Sequence, residues 1–305
     1  MFEKMRDFFE KRLSDYDSHM INDIEGAKEF YPFTAQALPM YKDANVLDLG
    51  CGTGLELSHY FALNPDAGVL GIDLSQKMLD ALKLKFPENK IKLICDSYFD
   101  RPFGEKAFDA AVSVESLHHF TLKQKTALYT KLCKALKDDG YFILTDYFAL
   151  SESEEREHFE EFSNLKKQQG IDDGEFYHYD TPLTLEHEMQ ALFDAGFSCV
   201  EILNRWGATF SVCAKKDFTV IGKTVKVTVD RPKGSFHPKY KEMCYQVNYG
   251  YAENIFAPDG KEQDIYILGV SEPLKEFTGR VVAVVKRVDD CEDKWIVAPE
   301  NMTFS

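Results

Sequence analysis

The chain has 305 residues, enough for two domains at about 150 residues each and for a buried core, so it is no mini-protein dependent on staples. Aspartate and glutamate number 51 against 36 lysines and arginines, a net charge of −15, which argues against a broad phosphate-neutralising surface and hence against nucleic acid as a partner. Seven cysteines with no CxxC pair and no tight cluster read as reduced thiols.

The opening MFEKMRDFFEKRL mixes acids with bases and fits neither a signal peptide nor a transit peptide. No apolar run reaches the roughly 18 residues a membrane span needs. The expectation is a cytoplasmic protein with no membrane partner. Residues 1 to about 40 are expected to form a helical cap. From Asn45 to about Lys215, short apolar runs alternate with stretches of helical period, the pattern of a parallel sheet covered by helices. The runs are NVLDL (45–49), GVLGI (68–72), IKLI (91–94), DAAVSV (109–114) and YFILTDY (141–147).

Between the second and third runs, Met78, Leu79, Leu82 and Leu84 make an apolar stripe with Ser75 as its cap. After Tyr147, Ser151 and Glu154 match a capping box at the head of an acidic helix, either a solvated face or a lid. A helix over 185–195 ends at Gly196, and CVEIL (199–203) with TFSVCA (209–214) reads as a closing hairpin. Beyond Lys216 the texture becomes β throughout: TVKVTV, QDIYILG, VVAVV and WIVA. The predicted division is therefore 1–216 and 217–305. The acid excess is uneven, because the second part holds 14 acidic and 12 basic residues.

The segment Asp48-Leu49-Gly50-Cys51-Gly52-Thr53-Gly54 ends the first strand and opens a helix, where glycine permits a tight turn and free amides face a ligand. Position 55 is Leu, so this is GxGxG and not the dinucleotide fingerprint GxGxxG. The second strand ends in Asp73, placed to accept bonds from ribose hydroxyls. The third ends in Asp96-Ser97, and the fourth runs into Glu115-Ser116-Leu117-His118-His119. Four strand tips thus converge on one crevice.

These residues resemble the class I S-adenosylmethionine-dependent methyltransferases over about residues 10–215. The resemblance implies an α/β, Rossmann-like sheet of seven strands, mostly parallel with one antiparallel, and helices on both faces. It implies S-adenosylmethionine as cofactor, with Gly50, Cys51, Gly52 and Gly54 at its methionine part and Asp48 near the loop or the cofactor ammonium. Asp73 would hold the ribose, Leu74 and Met78 would flank the adenine, and Asp96 with Ser97 would bind its edge. Glu115 joins the cofactor set, and Tyr16 would close over it. His118 and His119 read either as general bases or as packed rim histidines. The run Phe176-Tyr177-His178-Tyr179 is either acceptor pocket or packed connection. A covered crevice suits a small-molecule acceptor.

The second part carries Asn248-Tyr249-Gly250-Tyr251, then Asp259-Gly260-Lys261-Glu262-Gln263-Asp264, then Asp289 to Lys294. It resembles the family I inorganic pyrophosphatases, which implies a small all-β barrel-like domain with Asp259, Asp264 and Asp293 as Mg²⁺ ligands. Lys261 stands where that family has an Asp, and an ammonium there repels a second cation. A degenerate accessory module follows. The alternatives are a bifunctional protein with a Mg²⁺-dependent diphosphatase, and a sensor that binds the cofactor without transfer.

Overall fold

A computed structural model describes residues 2–171, 175–216, 220–286, 293–300 and 302. The chain forms two compact units, Met1–Phe197 with Ile202–Asp217, and Ser198–Glu201 with Phe218–Ser305.

In the first unit α1 (Met5–Asp23) and α2 (Ala27–Gln36) precede β1 (Asn45–Leu49), α3 (Leu55–Leu63), β2 (Gly68–Asp73), α4 (Gln76–Lys85) and β3 (Lys90–Cys95). Then come β4 (Phe108–Val114), α5 (Leu122–Ala135), β5 (Leu136–Tyr147), α6 (Glu152–Gln169), α7 (Leu185–Asp194), β6 (Cys199–Trp206) and β7 (Thr209–Lys215). The strand order is β3-β2-β1-β4-β5-β7-β6. Strands β1 to β5 pair in parallel and β7 runs antiparallel to β5. The order reverses beside β1, between β2 and β4, so the carboxyl ends of β1 and β4 flank a crevice.

Local chemistry explains the element ends. Ser75 accepts a bond from Met78 N, Ser151 from Glu154 N and Thr184 from His187 N, while Thr121 and Gln124 form a full capping box on α5. A core of Phe30, Leu57, Tyr60, Leu79, Val112 and Ile143 joins α2, α3 and α4 to the sheet. α5 and α7 pack together with Lys125 Nζ 2.5 Å from Glu188 Oε2, both fully buried.

The second unit is a ring of β8 (Thr224–Arg231), β9 (Asn248–Phe256), β10 (Glu262–Ile267), β12 (Lys294–Ala298) and β11 (Glu276–Val285). β9 pairs with β8 and β10, β8 with β11, β11 with β12, and β12 in parallel with β10, which closes the ring. This is a five-stranded barrel of the OB-fold kind. Val225, Val227 and Val229 point inward with Ile265, Ile267 and Val297. β9 is absent from the sequence expectation for a physical reason: its inward positions are Asn248, Gly250 and Ala252, which carry no apolar alternation. Asn248 is buried and its side chain binds Lys233 N, Leu274 N and Glu272 O. A Cβ on Gly250 would stand 2.0 Å from Thr228 O, so only glycine lets the strands close there.

Candidate functional site

The loop after β1 needs its glycines. Gly50, Gly52 and Gly54 have φ of 75°, 46° and 74°, a left-handed conformation that costs an L side chain about 1–2 kcal/mol. A Cβ on Gly50 would meet Ser116 Oγ at 2.0 Å, whereas one on Gly52 would meet only Tyr16, at 3.7 Å. Gly54 caps α3 against Leu82 and Phe86.

Asp73, at the tip of β2, holds the loop: Gly52 N donates to its Oδ2 at 3.0 Å and Ser75 N to its Oδ1 at 2.8 Å. Burial nevertheless pushes its carboxyl above the usual range, against the pull of those amides. α1 lies over this loop. Thr53 Oγ1 donates to Asp17 Oδ1 at 2.5 Å, and Lys85 binds both Asp17 Oδ2 at 2.5 Å and Thr53 O at 3.0 Å.

Gly50, Gly52, Asp73, Leu74, Met78, Tyr98 and Glu115 line one small cavity with Ser116, His119 and the α1 residues Met5, Phe9 and Tyr16. The sequence reading had not included Tyr98 or Ser116. The other residues expected at the cofactor lie outside this lining. The Asp48 carboxylate is buried behind the loop beside Glu56, and burial raises both. Of the two expected placements of Asp48, near the loop or near a cofactor ammonium, this is the one at the loop. The Cys51 thiol is buried and turned onto Gly71, whose added Cβ would stand 2.7 Å from Sγ. Asp96 Oδ1 accepts from Ser97 N at 2.8 Å, and Ser97 Oγ accepts from Phe99 N at 3.1 Å, so both side chains serve the turn after β3.

The loop amides are spent inside the protein, Gly50 N and Cys51 N on Ile72 O, Gly52 N on Asp73 and Gly54 N on Cys51 O, so the features that fit an adenosyl sulfonium cofactor are the strand-tip carboxylate and the apolar walls. The space is another matter, because α1 leaves about 40 Å³ there against roughly 300 Å³ or more in ordinary ligand sites. The side chains of Met5, Phe9 and Tyr16 must withdraw to admit the cofactor.

A second cavity of about 810 Å³ adjoins the first and shares Phe9, Tyr16, Glu115 and His119 with it. His118, His178, Asp180, Tyr147, Trp206 and Thr209 complete its chemistry. His118 Nδ1 lies 2.6 Å from Asp146 Oδ1, and Asp146 also accepts from Leu117 N at 2.8 Å and Tyr147 N at 2.9 Å. Burial alone would lower the His118 pKa, but the Asp146 charge and hydrogen bond outweigh it and hold it at about 9. Burial and the neighbouring His118 charge lower His119. Burial pushes the Glu115 carboxyl up to about 7, helped by the Asp146 charge. His178 stacks on Phe8 at 3.5 Å and is lowered to about 4, first by burial.

Asp146 and Asp180 escaped the sequence reading. Asp146 had a signal, since it ends the fifth strand beside the fourth. Asp180 had none, following an aromatic run in a connection without periodicity.

In the second unit, Asp259 is met by Lys261 N at 3.0 Å and by Lys261 Nζ at 3.3 Å, and Asp264 pairs with Lys294 Nζ. Asp259, Asp264 and Asp293 form no common ligand cluster among the described residues. The expected Mg²⁺ triad is therefore not assembled: lysines occupy two of its carboxylates. Among the described residues no helix is long and apolar enough to cross a membrane.

Comparison with known proteins agrees with this geometry. A family described as a methyltransferase domain matches residues 46–140, from β1 to the start of the β5 hydrophobic run. A carboxy-S-adenosyl-L-methionine synthase of Helicobacter hepaticus is 30% identical over 184 residues, 56% of this chain and 75% of that protein. Phosphoethanolamine N-methyltransferase 3 of Arabidopsis thaliana is 32% identical over 130 residues, but the chain spans only 24% of its length. Among solved structures, the DhpI-SAM-HEP complex shares the fold at a TM-score of 0.51 and 17% identity, over 68% of this chain and 94% of that one. Taken with the glycine loop and Asp73, these matches show that the chain belongs to the class I S-adenosylmethionine-dependent methyltransferases.

Proposed function

We propose that the enzyme transfers a methyl group from S-adenosylmethionine to a small acceptor bound in the 810 Å³ cavity. One observation carries the reading: the crevice at the glycine loop and this larger cavity share Phe9, Tyr16, Glu115 and His119, so a donor in one can face an acceptor in the other. A cavity of this size suits a metabolite-sized ligand. The sulfonium is an activated leaving group, and the protein's task is mainly to align the acceptor in line with the methyl carbon.

The roles follow the geometry. Asp73 would hold the ribose hydroxyls, with the Gly50–Gly52 turn beside the methionine part. Leu74 and Met78 would flank the adenine, and Tyr16 would close the crevice. His119, lining both cavities, is the group placed to take a proton from an acceptor that carries one. His118, already bonded to Asp146, is the less accessible base. The 175–180 segment, tied to the start of α1, covers the acceptor side: Met5 N donates to Phe176 O at 2.9 Å and His178 N to Glu3 O at 3.1 Å.

The C-terminal barrel is an accessory module in this reading. Its likeness to a pyrophosphatase barrel is supported by the closed five-stranded ring, while the pairing of Asp259 and Asp264 with lysines speaks against a diphosphatase centre. The test is calorimetric titration with S-adenosylmethionine, followed by a screen of small amines, alcohols and acids for S-adenosylhomocysteine release. Binding without release for any acceptor would favour the sensor alternative. No binding at all would refute both.

A further inference from the structure

We propose that His118, His119 and Asp180 form a binding site for a zinc-class divalent cation on the floor of the acceptor cavity. The proposal deepens the acceptor-site reading and rests on it for its role, although not for its test.

The geometry is that of a two-histidine, one-carboxylate site. One ligand atom from each of the three residues lies within 4.8 Å of the other two. Asp180 Oδ1 is 3.1 Å from His119 Nδ1 and 3.6 Å from His118 Nε2. Ligands about 2.0–2.1 Å from a tetrahedral ion stand roughly 3.4 Å apart, so these separations need only small adjustments. Asp180 Oδ1 is buried and makes no hydrogen bond at an acceptable angle. A buried carboxylate oxygen held only by ion pairs with two imidazole nitrogens is an arrangement a cation would take over.

The surroundings match too. His118 presents Nε2 to the site because its Nδ1 is fixed by Asp146, which two backbone amides hold in turn. A ligating histidine oriented by a carboxylate is the usual outer shell of a metal centre. His119 Nδ1 also lies 3.2 Å from Tyr179 O, so in the metal-free protein its proton can point there. Metal binding would require that proton to move to Nε2, and His118 to release its Nε2 proton to solvent. All three ligands line the 810 Å³ cavity, which leaves an open coordination position toward the acceptor.

The neighbouring group of Glu115, His118 and Asp146 is a weaker candidate. It offers one histidine, and the Asp146 oxygens are already committed. Imidazole donors select zinc, iron(II) or nickel over magnesium. The ligand class implied for the open position is an acceptor with a hydroxyl or carboxylate oxygen. An ion there would take the lone pair on His119 that otherwise serves a proton, so acceptor activation would pass from the imidazole to the ion.

The experiment uses the full chain stripped with a chelator, titrated with Zn²⁺ by calorimetry and with Co²⁺ by visible absorption. One equivalent should bind, with Co²⁺ bands of low-coordinate type and no comparable heat from Mg²⁺. Asp180→Asn and His119→Ala should abolish the bands, and Asp146→Asn should weaken binding about 10- to 100-fold. Asp180 has a half-exposed side chain, so its amide variant should fold, as circular dichroism would show. Absence of stoichiometric binding by the wild type, or unchanged Co²⁺ spectra in Asp180→Asn, overturns the site. S-adenosylmethionine affinity, measured on the same samples, reports separately on the methyltransferase reading.

Discussion

Replacing Asp73 by Asn separates cofactor recognition from loop architecture. Each carboxylate oxygen already accepts one backbone amide, from Gly52 at 3.0 Å and from Ser75 at 2.8 Å, and keeps lone-pair capacity for a ligand hydroxyl. Asn retains one acceptor oxygen and presents an NH₂ group in place of the other. If the oxygen stays with Ser75 N, the amide faces Gly52 N donor to donor. Hydrogen bonds to charged groups contribute about 1.5–3 kcal/mol each, so one lost ribose bond predicts cofactor binding weaker by roughly 10- to 150-fold. The loss of fold stability should be smaller. Burial already disfavours the Asp73 charge, and a neutral amide relieves that cost while giving up one loop bond. The assay pairs calorimetry with S-adenosylmethionine and urea unfolding of the same preparation. An affinity within twofold of wild type would refute the placement of Asp73 at the ribose, whatever happens to stability.

Three further outcomes follow from other parts of the first unit. Lys125→Met strands the buried Glu188 carboxylate and should cost about 3–5 kcal/mol, whereas adding Glu188→Gln should recover much of it because the amide oxygen still accepts from Tyr129. Additive losses in that double-mutant cycle, read by denaturant unfolding, would show that the two residues are not coupled. The raised carboxyls of Asp48 and Glu56 keep protons in the folded state at pH values where the unfolded groups, at 3.8 and 4.5, have released them. Their contribution is therefore fully present below those values and is lost as pH rises through the folded pKa. Asp48→Asn should flatten the decline in stability as pH rises above the unfolded values, and an unchanged slope in urea titrations would exclude the pair as its source. Finally, Phe9→Ala removes bulk from the 40 Å³ crevice and should speed cofactor association in stopped-flow fluorescence. Association at the wild-type rate would show that α1 is not the barrier to entry.

How far these sites were legible in the sequence depended on whether chemistry was written into local pattern. The strands of the first unit carry continuous apolar runs, and β4 is buried at every position, so their existence was evident from composition alone. The glycine loop and Asp73 were legible because backbone conformation restricts the residue type and a strand tip fixes the place. β9 was not, since it packs inward through Asn248, Gly250 and Ala252. Its structure depends on side-chain bonds to segments some 15 to 26 positions away.

The same distinction separates the two halves of the candidate site. The small cavity is walled largely by strand ends close to the loop, where the expected Gly50, Gly52, Asp73, Leu74, Met78 and Glu115 lie, while Asp48, Cys51, Gly54, Asp96 and Ser97 stand outside it. The acceptor side is built by convergence: His118 and His119 follow β4, Asp146 lies at the end of β5, and Asp180 arrives from a connection roughly 60 residues after the two histidines. No local pattern ties Asp180 to two histidines so far back in the chain, whereas the fold brings its oxygen within 3.1 Å of one of them. Asp48 shows the reverse effect. Its position in the motif suggested the loop or a ligand contact, and from its place in β1 the side chain lies in the interior beside Glu56. On the proposed reading, specificity for the acceptor would rest with the residues that the sequence marks least, and the cofactor half could stay fixed while the 810 Å³ cavity is remade by changes in α1, the 175–180 segment and the ends of β6 and β7.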